Sequence, residues 1–363
     1  MKNGVSNVFL FCGLSVSVLL AGCRGPVSDV ASLRVAPGGA IDSLAKALDE
    51  VLRLRASGAV AKERQIVVDI ACGTYAVARP LEITSEHGPL LLRGAGPLGT
   101  VLSGGKRLGQ FRRELDGLTW RNAIDKGLDF DQLFINGRRA DLSPVANRFD
   151  PRAPGAWYLD TATHEIVYVA RKGESPFGTI AIAGTVEAIL CLNGASDISI
   201  EGVTFMHNAL GHEGGLGAIV ISAGSKRISF VDCKFEHCAN YGLKVVGSAD
   251  VTIRHSWFED AGSGALLGAG TRRILFEDTV VVGCGDDKAG HAVVALTSVE
   301  DARVFQNDFC NLKGNGVKAD ASIEAGKNRF WKVSGEVDSP RTGDDGVRST
   351  DPSWRARVEM LTF

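Results

Sequence analysis

The sequence predicts an all-β fold: a parallel β-helix solenoid with an N-terminal capping helix and a small β-rich insertion. Phe205, Phe235, Phe258, Val281 and Phe309 mark one position of a motif that recurs five times, at intervals of 30, 23, 23 and 28 residues. Each recurrence is a short alternating strand, a turn and a Gly-punctuated second strand. Strand-only repeats of this length stack as solenoid coils. The composition agrees, since 44 Gly in 363 residues with only 23% charged residues suit a turn-rich β chain with a sizeable core. In such a stack equivalent residues lie about 4.8 Å apart, so residues distant in sequence fall into columns.

Taken in order, residues 1–22 read as a signal peptide. Lys2 supplies a positive start, and residues 8–20 form an apolar stretch too short to span a bilayer comfortably. The stretch ends in Leu20-Ala21-Gly22-Cys23, which resembles a bacterial lipobox. The resemblance implies a lipidated Cys23 and an exported, membrane-anchored protein of the cell envelope, in the periplasm or at the cell surface. An ordinary secretory signal is the alternative. Residues 23–38 read as a polar tether.

Residues 39–104 hold the capping helix and the first coils. Ile41, Leu44, Leu48, Val51 and Leu52 share one helical face, Asp42 or Ser43 suits the N-cap, and Gly58 follows the end. A helix here covers an open first coil whose bare edge would otherwise template aggregation. Stretches 65–71, 73–75, 80–83 and 90–94 read as the first strands. Residues 105–186 break the rhythm and read as the β-rich insertion, with strands in 111–120, 132–139 and 157–169. Asn136-Gly137 there signals a hairpin, and Trp120, Trp157 and Tyr158 read as the insertion's core rather than a sugar platform. Regular coils fill 187–330, about five of them clear. Gly242, Gly264 and Gly316 read as residues that let the chain turn into the next sheet. Residues 331–363 read as a polar, loose tail.

A net charge of −2 leaves no basic stripe to displace counterions, so nucleic acid is excluded as a general partner. Outside the signal and Cys23 there are six cysteines and no CxxC spacing, which argues against zinc or thioredoxin-like chemistry. Buried free thiols are the expected state, and a monomer the expected assembly.

Several phrases resemble the right-handed parallel β-helix proteins of the pectin-lyase-like superfamily. They are Ala36-Pro37-Gly38-Gly39, the helix that follows, Gly73-Thr74-Tyr75 and Leu102-Ser103-Gly104-Gly105. Asn136-Gly137-Arg138-Arg139 with its preceding Gln132-Leu133-Phe134-Ile135, and Gly155-Ala156-Trp157-Tyr158-Leu159-Asp160, are similar to a subset associated with carbohydrate-active enzymes, glycoside hydrolases among them. Over residues 36–320 the resemblance implies a right-handed β-helix and a polysaccharide or glycan partner.

The columns suggest where such chemistry would sit. After the marker position come Met206, Glu236, Glu259, Val282 and Cys310, then His207, His237, Asp260, Gly283 and Asn311. Extra residues enter at this turn in two coils, at 210–217 and 285–290. They would flank a trough about 14 Å long, with His237 and Asp260 on its floor and His212, Glu213, Asp286, Asp287 and His291 in its walls. Glycoside hydrolysis needs two carboxylates straddling the scissile bond, and Asp260 with Asp286 or Asp287 is the expected catalytic set. His237, Glu236, Glu259, His212, Glu213 and His291 are expected to bind substrate. A carboxylate beside another is raised in pKa, as a general acid requires.

Turns of any β-helix are rich in Asp, His, Asn and Gly for backbone reasons, so a structural Asp260 and a merely stacked His207–His237 pair are the bland readings. No cofactor is expected; calcium at Asp286-Asp287 is the alternative, and it needs six or more oxygens. The function read from the chain is therefore a glycoside hydrolase-like enzyme acting on polysaccharide. A non-catalytic glycan-binding or envelope-structural solenoid is the alternative. A lyase using Lys244, Lys288 or Lys318 comes third.

Overall fold

The computed structural model describes residues 31–143, 153–210, 217–285, 292–320 and 323–333, with short strands at Val337–Asp338 and Val347–Arg348. Among these residues the chain winds through three long parallel sheets of nine, nine and eight strands. In chain order each coil visits a first, a second and a third sheet, as in Lys226–Val231, Lys234–Glu236 and Tyr241–Val246. Alternation within the strands puts apolar side chains inward: Ile228 and Phe230, then Phe235, then Leu243 and Val245 are all buried.

The marker column is a core stack. Phe205 pairs in register with Phe235, Phe235 with Phe258, Phe258 with Val281 and Val281 with Phe309. Tyr75 and Leu102 extend it backward and Phe330 forward. The solenoid is thus longer than the five coils counted from sequence, because its first coils are separated from the rest by the insertion. The rings of Phe235 and Phe258 stack at 4.5 Å and 4°; each buried aromatic contributes roughly 1.5–3 kcal/mol.

The coils bend at single residues in the left-handed backbone region. Asp232, His255 and Asp278 make the corner between first and second sheets, and His207, His237, Asp260, Gly283 and Asn311 the corner between second and third, with φ between 48° and 63°. Short polar side chains and Gly tolerate this conformation best. Gly242 and Gly264 act differently from the turn role expected of them, since they lie in or at the start of third-sheet strands. A Cβ on Gly242 would meet the Phe258 ring at 2.6 Å, and one on Gly264 the Val293 backbone at 2.6 Å. Gly316 likewise lies inside the strand Asn315–Ala319. Close packing, not turning, explains the first two.

Inside the first corner runs a buried polar ladder. Cys233 N–H donates to Ser256 Oγ, Ser256 N–H to Thr279 Oγ1, Thr279 N–H to Asn307 Oδ1 and Asn307 N–H to Asn328 Oδ1, so each coil satisfies its neighbour's backbone. Outside, the first sheet starts with an alternating charge column. Arg227 pairs with Asp197 at 2.5 and 2.6 Å, and Arg273 with Asp250 two coils on.

The helix runs over Leu44–Ala56, with Ser43 as N-cap accepting from Lys46 N–H, and buries Leu44, Ala47, Leu48 and Val51 against the first coils. Ala31–Val35, expected in the tether, is instead the end strand of the first sheet, parallel to Ile66–Ile70. Its alternating side chains match that neighbour's register. Strands Val337–Asp338 and Val347–Arg348 pair with Asn315–Ala319 and Arg329–Trp331, so part of the expected loose tail adds to the stack.

The insertion leaves the corner between second and third sheets after Thr100–Ser103 and returns to the third sheet at Leu190–Asn193. It contains a four-stranded and a five-stranded sheet around its own core. Trp120 and Trp157 are buried there, and Phe130 stacks on Trp157 at 5.3 Å. Asn136 and Gly137, both at positive φ, form the hairpin joining Gln132–Ile135 to Arg138–Arg139. The cysteines Cys233, Cys238, Cys284 and Cys310 are buried free thiols, Cys191 is half-buried and Cys72 exposed.

Candidate functional site

Every sequence-selected site residue among those described lies at the corner between second and third sheets or one residue before it. Glu236 and Glu259 are in-register partners on the outer face of the second sheet. His237 and Asp260 follow them at the left-handed corner. Cys23, His212, Glu213, Asp286, Asp287 and His291 lie outside the described residues.

The corner is not an open trough. The insertion comes down on it, with the Phe134 ring 4.6 Å from the His207 ring and 5.0 Å from the His237 ring. Arg139, at the end of the insertion's hairpin, reaches past Phe134 to the corner backbone. Its Nε donates to Asp260 Oδ2 at 3.1 Å, and its Nη2 to the carbonyls of Asp260 at 2.7 Å and Cys238 at 3.0 Å. Gln132 Oε1 accepts from Nη1. His237 lies between the elements, its Nδ1 2.9 Å from Asp260 Oδ2 and its Nε2 3.6 Å from Glu236 Oε1.

Burial raises the Asp260 pKa, but the His237 hydrogen bond and the Arg139 charge outweigh it and hold the carboxyl below its ordinary value. Asp260 is therefore an ionised group, suited to a base, a nucleophile or an anchor and unsuited to a general acid. The elevated pKa expected of an acid is not found at Asp260. Its side chain keeps 32% exposure, so an edge of the carboxylate remains reachable.

His207 is the bland member. It stacks on His237 at 5.7 Å and 14°, and its Nδ1 meets Ser103 Oγ at 3.1 Å. Burial, then the neighbouring His237 and Arg139, push its pKa down to about 3, so it is a neutral spacer at physiological pH.

On the adjoining outer face, Lys234 Nζ lies 3.0 Å from Glu236 Oε2 and 3.0 Å from Glu259 Oε2. Those oxygens are thus within about 6 Å of each other, with a cation between them. Burial lowers the Lys234 pKa, and the two carboxylates raise it further than burial lowers it, so the lysine is held charged. Among the described residues no group of three His, Cys, Asp or Glu side chains could hold a metal ion. Lys244 and Lys318 share a row on the third sheet, round the corner.

Arg139 and Lys234 escaped the sequence reading for different reasons. Lys234 was legible, two residues before Glu236 on an alternating strand and so on the same face. Arg139 belongs to a unit with no register relation to the coils. Its contact spans 121 residues, and only its place in the Asn-Gly-Arg-Arg phrase marked it.

Residues 181–330 match the family model of the right handed beta helix region. The chain folds as a right-handed parallel β-helix. Among the solved structures that resemble it are two with TM-scores above one half. One is a "Glycoside hydrolase" (TM-score 0.55, 13% identity, covering 90% of this chain and 98% of that one). The other is the complex of XylC with xylose (TM-score 0.65, 13% identity, covering 87% of this chain and 64% of that one). At such identity the likeness is one of fold. No curated protein matches the chain in sequence.

Proposed function

We propose that this β-helix protein acts on polysaccharide as a glycoside hydrolase-like enzyme, exported and held at the membrane by a lipid on Cys23. The observation that carries the reading is Asp260, an ionised, partly exposed carboxylate beside His237 at the corner where the chain lengthens. In hydrolysis by a carboxylate pair, one member must be ionised as nucleophile or base, and Asp260 takes that part. Asp286 or Asp287, which follow the corner of the adjacent coil, supply the acid. Glu236, Glu259, His212, Glu213 and His291 bind sugar hydroxyls, and His237 orients Asp260. Fold similarity to a glycoside hydrolase and to a xylose-bound protein supports the substrate class.

A second reading, glycan binding without turnover, is favoured by one contact. Arg139 engages both the carboxylate and the carbonyl of Asp260, which is how an anchoring residue would be held. The two readings separate on Asp260→Asn, assayed for reducing-sugar release from a glycan panel, with absorbance of unsaturated uronates read in parallel. The hydrolase reading expects release by the wild type and loss by several orders of magnitude in the variant. Glycan binding without any release supports the second reading, and unsaturated products overturn both in favour of a lyase.

A further inference from the structure

A cleft of about 450 Å³ opens on the outer face of the second sheet. One wall is the loop carrying Leu98, which is 92% exposed. The opposite side is the outward row of Lys234, Trp257 and Val280 together with Glu259. His255 and Asp278, paired Nε2 to Oδ2 at 3.1 Å, form the rim at the first corner. The volume suits one or two sugar units. The cleft is joined to the candidate site, since Lys234 connects Glu259 to Glu236, and Glu236 faces His237.

We propose that this cleft is a subsite for a neutral sugar unit of the glycan, a deepening that rests on the polysaccharide reading above. The half-buried indole of Trp257 and the apolar Leu98 offer surfaces for the C–H faces of a pyranose ring. Glu259, His255 and Asp278 supply acceptors and donors for its hydroxyls. Charge decides the class of sugar. Lys234 is already shared by two carboxylates, and His255 is paired with Asp278. A uronate entering here would meet acidic side chains with no free cation among the lining residues to offset its own charge. A neutral hexose or pentose meets no such penalty.

The test is titration calorimetry on the full chain with six-unit xylo-, gluco- and manno-oligosaccharides and oligogalacturonate of the same length. One neutral oligosaccharide should bind, with oligogalacturonate at least about tenfold weaker. Trp257→Ala should weaken binding about tenfold. His255→Gly, a change at a half-exposed side chain on a left-handed corner that glycine adopts without strain, should weaken it several-fold, and it decides the matter if Trp257→Ala fails to fold. Unchanged affinity in the folded variants, or oligogalacturonate binding as tightly as neutral sugar, overturns the subsite and leaves the polysaccharide reading standing. Failure of the wild type to bind any glycan in the panel overturns that reading and the subsite together.

Discussion

Arg139→Ala tests whether the insertion is fastened to the solenoid through the corner or merely rests on it. The truncation removes the three charge-assisted hydrogen bonds that cross to the solenoid, to Asp260 Oδ2 and to the Asp260 and Cys238 carbonyls, besides the one to Gln132 within the insertion, and takes the cation from over the Phe134 ring, 5.1 Å away. At roughly 1 kcal/mol net for each crossing bond in a partly buried setting, the loss is about 3 kcal/mol. At about 2.1 cal/mol/K of unfolding entropy per residue over a chain of this length, that corresponds to about 4 °C in melting temperature. The same truncation at Arg227, whose pair with Asp197 is half-exposed, should cost under about 1 kcal/mol, so the two variants separate a seam from a surface ion pair. Thermal melts followed by circular dichroism give the comparison. Limited proteolysis should cut Arg139→Ala first within residues 105–186. If Arg139→Ala melts with the wild type and resists protease equally, the corner is not what holds the insertion.

Three further outcomes follow from the same structure. Phe258→Ala opens the middle of the ring stack and should cost about 3–5 kcal/mol in chemical denaturation, whereas Phe177→Ser, at a residue 85% exposed, should leave the midpoint unchanged. His207, with its pKa pushed down to about 3, stays neutral in the folded state while the unfolded chain takes up a proton below about pH 6.5. Stability should therefore fall as pH drops from about 6.5 toward 3, and His207→Asn, which tolerates the left-handed backbone, should flatten that slope in melts from pH 7 to pH 4. Cys23→Ala should leave an unprocessed, unlipidated precursor, read by mass spectrometry of the membrane fraction; normal release of a mature chain would point to an ordinary signal peptidase site.

The fold was legible wherever one period ruled. The two-residue alternation and the 23-residue spacing were enough to align Phe235, Phe258 and Val281, and the spacing of Leu44, Leu48 and Val51 marked the helix. Tyr75 and Leu102 went unseen as members of the same column because the insertion separates Leu102 from Phe205, its neighbour in register. Ala31–Val35 looked like tether because a five-residue strand carries too few alternations to stand out. At the site, the neighbourhood of Glu236, His237, Glu259 and Asp260 followed from stacking alone. The state of Asp260 did not, since it depends on Arg139, and no repeat connects a hairpin in the insertion to a coil 121 residues away.

The alternating charges that open the first sheet impose a parity on the coils. Asp197 faces Arg227, Arg227 faces Asp250, and Asp250 faces Arg273. Removing one coil brings Asp197 against Asp250, or Arg227 against Arg273, and like charges directly opposite one another disfavour pairing. Removing two adjacent coils sets Asp197 against Arg273 and restores the match. In this stretch the solenoid should lengthen or shorten most readily by pairs of coils, so the unit that can be inherited or engineered is twice the unit that repeats.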